Sequence, residues 1–333
     1  RNPKSEIKGT EIMPPFPPFF IFLLHIPDGF LSIGVSAVCW LLILVILAYA
    51  LRVSQRDLDE RLIPLAGIMG AFIFAAQMIN FPVAGGTSGH FIGAALAFIV
   101  LGPWLGLLTM TAVVALQALL FQDGGLVVMG ANILIMGLVP GFVGYQVYRL
   151  AKGRGRRIET ITTGTAAWLS IMAAALVTAL LLAFSGTTSL AVALPAMLGI
   201  HALIGVGEAL ITVAALAFLR RTRPAVLNDP GAAAQGSWII LSLIAVLVLL
   251  LLAPFASGHP DGLEWVAEMT GFAESAQDAP YSLLPEYSVP FVGETPFSTI
   301  LAGLVGIVVV AVVVISLTKG LATENRKQKK QKT

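Results

Sequence analysis

The chain is 333 residues long, 57% hydrophobic and only 11% charged, against about 25% charged in soluble domains, and its mean hydropathy is +0.89. That much apolar surface does not fit one aqueous core, which excludes a soluble globular protein and predicts a polytopic, all-α bundle of transmembrane helices. The net charge of +2 says little in itself, because what matters is its separation across the membrane; no nucleic-acid partner is expected.

Residues 1–23 carry Arg1, Lys4 and Lys8 and run into a short, proline-interrupted apolar stretch with no small-residue cleavage pattern before His25. They are read as an upstream extension, with a Leu codon at Leu24 serving as the start. His25 is then the second residue of the mature chain. The amine of Leu24, the amide nitrogen of His25 and its imidazole would form fused chelate rings on one ion. Such a planar, nitrogen-rich set suits Ni(II), Cu(II) or related ions better than oxygen-seeking Mg or Ca. Ile26-Pro27-Asp28-Gly29 reads as a type I turn that folds the first residues over the outer mouth, and Asp28 is placed either as the cap of the first helix or as a metal ligand.

Apolar stretches follow at 31–51, 62–79, 91–101, 104–120, 126–148, 160–184, 190–219, 236–254 and 297–317, most near the roughly 20 residues that cross a bilayer. The stretch 91–101 is short, follows a glycine-rich loop and ends at Gly102-Pro103. It is expected to be a shortened or re-entrant element, its irregular backbone covered by protein. After residue 23 every Lys and Arg falls in 52–61, 149–157, 220–223 or 319–333. Nine crossings with residue 24 outside put all four segments in the cytoplasm, as the retention of basic residues requires, so the expected topology is N-out and C-in.

The loop Asn80–His90 lies on the outer side by the same parity. His90 is a candidate fourth nitrogen donor, or else a capping or packing residue, with Asn80, Thr87 and Ser88 as partners that orient the imidazoles. Further along, His201 and Glu208 share a face of the long helix 190–219. An ionised glutamate there costs about 2.5–3.5 kcal/mol on insertion scales unless paired or hydrated. The pair reads either as a polar seam beneath the metal or as interhelical hydrogen bonding. Gln77, Gln117 and Asn132 are read as helix–helix glue, and the lone Cys39 excludes an intrachain disulfide.

Residues 24–220 form the expected body, 221–235 a cytoplasmic linker, 236–318 a two-helix tail and 319–333 a basic cytoplasmic end. The tail's outer loop, 255–296, holds Asp261, Glu264, Glu268, Glu274, Asp278, Glu286 and Glu294 and no Lys or Arg. Its acidity either focuses cations or follows from topology alone. Pro260–Trp265 reads as a turn leading into a short amphipathic helix that docks on the body.

No phosphate-binding loop, His-Glu-x-x-His or Gly-x-Ser-x-Gly motif occurs, so the chain is not expected to hydrolyse ATP or to be an enzyme. An ion-coupled secondary transporter would show paired intramembrane charges and repeated halves. An integral membrane metalloenzyme would need a general base and a denser ligand motif.

His25-Ile-Pro-Asp-Gly-Phe30, the Asn80–His90 loop and the turn Gln122-Asp-Gly-Gly125 together resemble the CbiM/NikM family over roughly residues 24–220. The segment around Pro260-Asp-Gly-Leu-Glu264 is similar to the family's small two-helix partner subunit. The resemblance implies the substrate-capture component of an energy-coupling-factor importer for cobalt or nickel. It implies metal held by the amine of Leu24, the amide and imidazole of His25, and His90, with Co(II) or Ni(II) as transported ion and no permanently bound cofactor. It also implies a transmembrane coupling protein and cytosolic ATPase subunits as partners, in a bacterial inner membrane. Planar nitrogen coordination inclines the reading towards nickel.

Overall fold

The computed structural model describes residues 25–222 and 237–332. Leu24 with the upstream stretch, and all but the first two residues of the expected linker, lie outside the described residues. The body contains α1 (Ile33–Asp57), α2 (Ile63–Gln77), strands β1 (Phe81–Val83) and β2 (Thr87–Gly89), α3 (Ala94–Leu101) and α4 (Pro103–Phe121). It continues with α5 (Met129–Ile133), α6 (Val139–Arg149), α7 (Arg156–Phe184) and α8 (Leu190–Thr222). The tail supplies α9 (Ser237–Leu252), α10 (Gly262–Thr270) and α11 (Pro296–Lys332).

Among the described residues eight helical segments are long and apolar enough to cross a membrane, α5 and α6 counting as one span. Between them Leu134–Leu138 form a π-helical turn, two residues before Pro140, whose missing N–H removes a helical hydrogen bond. Helix α3 is the shortened element expected at 91–101. Its eight residues reach about 12 Å against a core of about 30 Å, and all eight are buried. Before α3 the chain turns through a hairpin in which β1 and β2 pair antiparallel, Phe81 opposite Gly89. In this short hairpin Thr87, Ser88 and Gly89 are buried, whereas Pro82 and the turn at Ala84, Gly85 and Gly86 are exposed.

The tail is built into the body. Helices α9 and α11 both pack on α2, and α11 comes so close that a Cβ on Gly306 would stand 2.1 Å from Phe74 Cζ. Only a residue without a side chain fits there. Apolar residues on α1 and α9, such as Val38, Leu41, Val45, Ile240 and Leu243, stay exposed, as lipid-facing positions would.

The contacts define two ends of the bundle. At one, the Thr187 hydroxyl donates to the Phe30 carbonyl (2.5 Å) and Gln277 N–H to the Asp28 carbonyl (2.8 Å), which gathers the first loop, the α7–α8 turn and the tail loop. At the other, Arg326 pairs with Glu60 and Arg220 with Glu159 (3.0 Å). The basic segments therefore collect at the end opposite His25.

Candidate metal-capture site

The segment after His25 is held by its own backbone. Asn132 on α5 takes the Ile26 N–H on its Oδ1 (3.0 Å) and donates Nδ2 to the Ile26 carbonyl (2.9 Å). Gly125 N–H donates to the same carbonyl (3.0 Å). Asn132 is thus a clamp on the first loop as well as an interhelical group. The turn forms one residue later than the sequence suggests, with Phe30 N–H reaching the Pro27 carbonyl (3.5 Å). Gly29 sits at its third position with φ +94°, which replaces the type I geometry expected for 26–29.

Asp28 is not the cap of α1. Ser32 is, accepting from Val35 N–H (3.4 Å). The Asp28 carboxylate instead accepts from Leu126 N–H (3.0 Å) and Val128 N–H (3.1 Å), tying the first loop to the 122–128 turn. Asp28→Ala is expected to cost about 1–3 kcal/mol, the penalty of amides left without an acceptor, and to weaken metal binding with it. Thermal unfolding and metal titration of the purified variant check this; an unchanged melting temperature would contradict it.

His25 is buried, and its Nδ1 lies 2.6 Å from Asp123 Oδ1. Its Nε2 is buried and has no partner among the described residues. His90, between β2 and α3, places its ring centroid 6.1 Å from that of His25, with the planes at 44°. Metal–imidazole bonds of about 2.0–2.1 Å are compatible with one ion between rings so spaced. Burial first, and then the neighbouring His25, push His90 down to about 4, so its imidazole is neutral near pH 7 and has a lone pair to give. Asp123 is buried, which opposes its ionisation, but the proximity and hydrogen bond of His25 and the hydrogen bond of Tyr287 hold it below the usual carboxylate range.

The first-loop chelate set is not assembled here. A ring that includes the His25 amide nitrogen closes through Nδ1, the atom turned towards Asp123. Among the described residues no three His, Cys, Asp or Glu side chains form a ready cation cage, so an ion between the imidazoles would draw further donors from elsewhere.

The loop residues expected to orient the imidazoles have other duties. Ser88 directs its N–H to the Pro260 carbonyl (2.8 Å) and its hydroxyl to the His259 carbonyl (2.8 Å). The Asn80 carbonyl accepts from Ser257 N–H (2.8 Å), and Thr87 is buried, its hydroxyl without a partner. Ser88 and the Asn80 carbonyl thus fasten the hairpin to the tail loop.

Glu208 positions His90. From mid-α8 its carboxylate accepts from Ile92 N–H (2.7 Å) and Gly93 N–H (2.9 Å), the backbone immediately after His90. His201 turns its Nδ1 back to the Met197 carbonyl (2.8 Å), so the two share a helix face without sharing a role. Beside His201 sits Gly262 of α10, which begins with Asp261 and Glu264 in a reciprocal capping box. Burial lifts Asp261 to about 6; its bonds from Glu264 and Leu263 N–H oppose the rise and the nearby Asp123 adds to it.

Two residues that hold the site escaped the sequence reading as individuals. Asp123 was visible only as part of a turn motif, and Tyr287 carried no signal, being separated from Asp123 by 164 positions. Above Asp123, between Pro27-Asp28, the 121–125 turn and tail residues 277–287, lies a cavity of about 190 Å³.

Comparison with known proteins matches residues 25–226 to a family described as the cobalt uptake substrate-specific transmembrane region, and residues 235–323 to the PDGLE domain. A putative fused nickel transport protein NikMN of Archaeoglobus fulgidus is 37% identical, over 89% of this chain and 98% of its own. The fused nickel transport protein NikMN of Rhodobacter capsulatus is 31% identical, over 91% and 99%. A cobalt transport protein CbiM of Sorangium cellulosum is 33% identical over 62% of this chain and 95% of its own. The crystal structure of a truncated transition metal transporter superposes with a TM-score of 0.54 at 34% identity, covering 59% of this chain and 98% of that one.

Proposed function

The chain belongs to the CbiM family of cobalt-uptake transmembrane proteins, with a PDGLE domain joined behind it, and we propose that it is the substrate-capture component of an ATP-driven energy-coupling-factor importer. It is a multi-pass cobalt/nickel transport protein and not an enzyme. Its cargo is Co(II) or Ni(II), taken up between the imidazoles of His25 and His90. The amine of Leu24 and the amide of His25 complete the donor set once Nδ1 of His25 passes from Asp123 to the ion. The observation that carries this reading is the meeting of two imidazoles, buried His25 and half-buried His90, their ring centroids 6.1 Å apart, from loops 65 residues apart.

Collection of the basic segments at the far end supports an outward-facing site in the inner, plasma membrane. Cations approach through the cavity lined by Asp28, Asp123, Asp278 and Glu286, whose charge raises their local concentration. The body 24–220 captures the ion, the tail 236–318 covers it from outside, and the linker 221–235 and basic end 319–333 lie in the cytoplasm. No nucleotide-binding motif is present in the sequence, so energy comes from separate ATPase subunits through a transmembrane coupling partner.

Uptake of radioactive nickel and cobalt by cells carrying this chain with and without those subunits tests the reading. Accumulation is expected only with them. Uptake that persists without the ATPases and collapses with the proton or sodium gradient would instead make the chain a secondary carrier.

A further inference from the structure

We propose that the end of the α7–α8 pair remote from His25 binds one anionic phospholipid. A crevice of about 280 Å³ lies there between the two helices, its polar part lined by Arg156, Thr160, Thr163 and Arg220 and its apolar part by Val213, Leu216 and Ala217. The site is separate from the metal site and requires only that this end of the bundle meets a membrane surface.

Charge at the crevice is one-sided. The turn from α6 into α7 carries Lys152, Arg154, Arg156 and Arg157, and α8 ends on Arg220 and Arg221. Beside them stands one carboxylate, Glu159, which is already engaged: Oε1 accepts from Gly153 N–H (2.8 Å) and Oε2 from Arg220 (3.0 Å). Among the described residues Arg156 has no acidic partner. The hydroxyls of Thr160 and Thr163 donate to the Arg156 and Glu159 carbonyls (2.8 and 2.7 Å), so an anion is left to the arginines. A guanidinium offers a phosphate two parallel donors, and basic pockets between helices at the membrane surface suit lipid headgroups. Retention of basic residues on one side of a membrane accounts for their number, not for the crevice they line.

The lining also matches a lipid in depth. Helix α7 has 29 residues and reaches about 44 Å, where the hydrocarbon core takes about 30 Å. Residues 179–184 at its far end are wholly apolar, so the surplus falls at its start and sets Arg156 and Thr160 at headgroup depth. On α8, Leu203, Val206, Leu210, Val213, Ala217 and Arg220 fall within about 100° of one another around the helix. The first three are exposed, the next two line the crevice and the last carries the charge. An acyl chain laid along this stripe meets apolar surface throughout and brings its phosphate to the arginines. An acidic protein segment would match the charges and leave the stripe unused.

The test uses the full-length chain in neutral detergent, titrated with phosphatidylglycerol and with phosphatidylcholine of the same acyl chains, and bound lipid is counted by native mass spectrometry. One phosphatidylglycerol is expected to be retained in preference to phosphatidylcholine. Arg156→Gln, at an exposed position, should weaken it about fivefold. Ala217→Phe fills the apolar part and should lose the lipid with every charge in place. Arg56→Gln removes a charge from the last turn of α1 and should retain the lipid as wild type does, and nickel affinity should not change in any of the three. Equal weakening in Arg56→Gln and Arg156→Gln, or full retention in both Arg156→Gln and Ala217→Phe, would reduce the crevice to part of a general basic surface and overturn the proposal. So would displacement of the lipid by an equal concentration of inorganic phosphate, which would leave a simple anion site, or by polyglutamate, which would make this a protein-docking surface.

Discussion

His25→Ala is expected to lower the affinity of the purified chain for Ni(II) and Co(II) by more than two orders of magnitude, with His90→Ala close behind. Partners that merely orient a ligand are worth about 10–100-fold, and loss of a donor must exceed that. The site has little redundancy, because no third His, Cys, Asp or Glu among the described residues is placed to complete a cage. Neither variant is expected to act by unfolding its loop. His25 lies in a loop already clamped by Asn132 through Ile26, and His90 in a segment anchored by Glu208, so each alanine chain should keep its fold and lose its ion. Isothermal titration on folded, monodisperse protein measures the loss. A double variant no weaker than either single one is the further expectation, since two donors to one ion act as a unit and their effects do not add. Retained affinity in both single variants would remove these imidazoles from the site.

The sequence makes the two imidazoles legible for a physical reason: each sits in a loop whose composition is too particular to be generic. Pro-Asp-Gly after His25 and the glycines before His90 restrict the backbone locally, and local restriction is what residue order records. The short α3 was visible likewise, bounded by a glycine-rich loop and Gly102-Pro103. The remainder depends on distant pairings. Asp28 reads as a cap because it precedes a helix, yet its oxygens find Leu126 and Val128 N–H, about a hundred positions away. Ser88 reads as an orienting hydroxyl and is taken by carbonyls of the tail. Tyr287 is one aromatic among many until folding brings it to Asp123. The tail likewise reads as an appended pair of helices, whereas Gly306 against Phe74 shows α11 seated in the body. Hydropathy reports that a helix is apolar and is silent on which apolar neighbour it meets.

Glu208→Leu is expected to destabilise the folded chain by about 2–4 kcal/mol, since it leaves two buried amides, of Ile92 and Gly93, without their acceptor and each such loss costs about 1–3 kcal/mol. Those amides stand just before α3, at its N-cap Gly93 and the residue preceding it, and Gly93 brings no capping side chain of its own. The carboxylate from α8 fills that place from outside, so its effect should concentrate on the segment that carries His90. Metal affinity should therefore fall as well, measured below the lowered melting temperature, because the imidazole loses its fixed approach to His25. Glu208→Gln separates shape from chemistry. Its carbonyl oxygen can serve one amide, but its NH₂ then faces the other, donor against donor, so this near-isosteric change is expected to give most of the leucine variant's loss. His201→Ala, on the same face of α8 but bonded only to the Met197 carbonyl, should leave the α3 end ordered. Hydrogen exchange at Ile92 and Gly93 reads the difference directly, with rapid exchange expected in both Glu208 variants and protection retained in His201→Ala. Protection that persists in Glu208→Leu would mean that the loop carrying His90 is held by something other than this carboxylate.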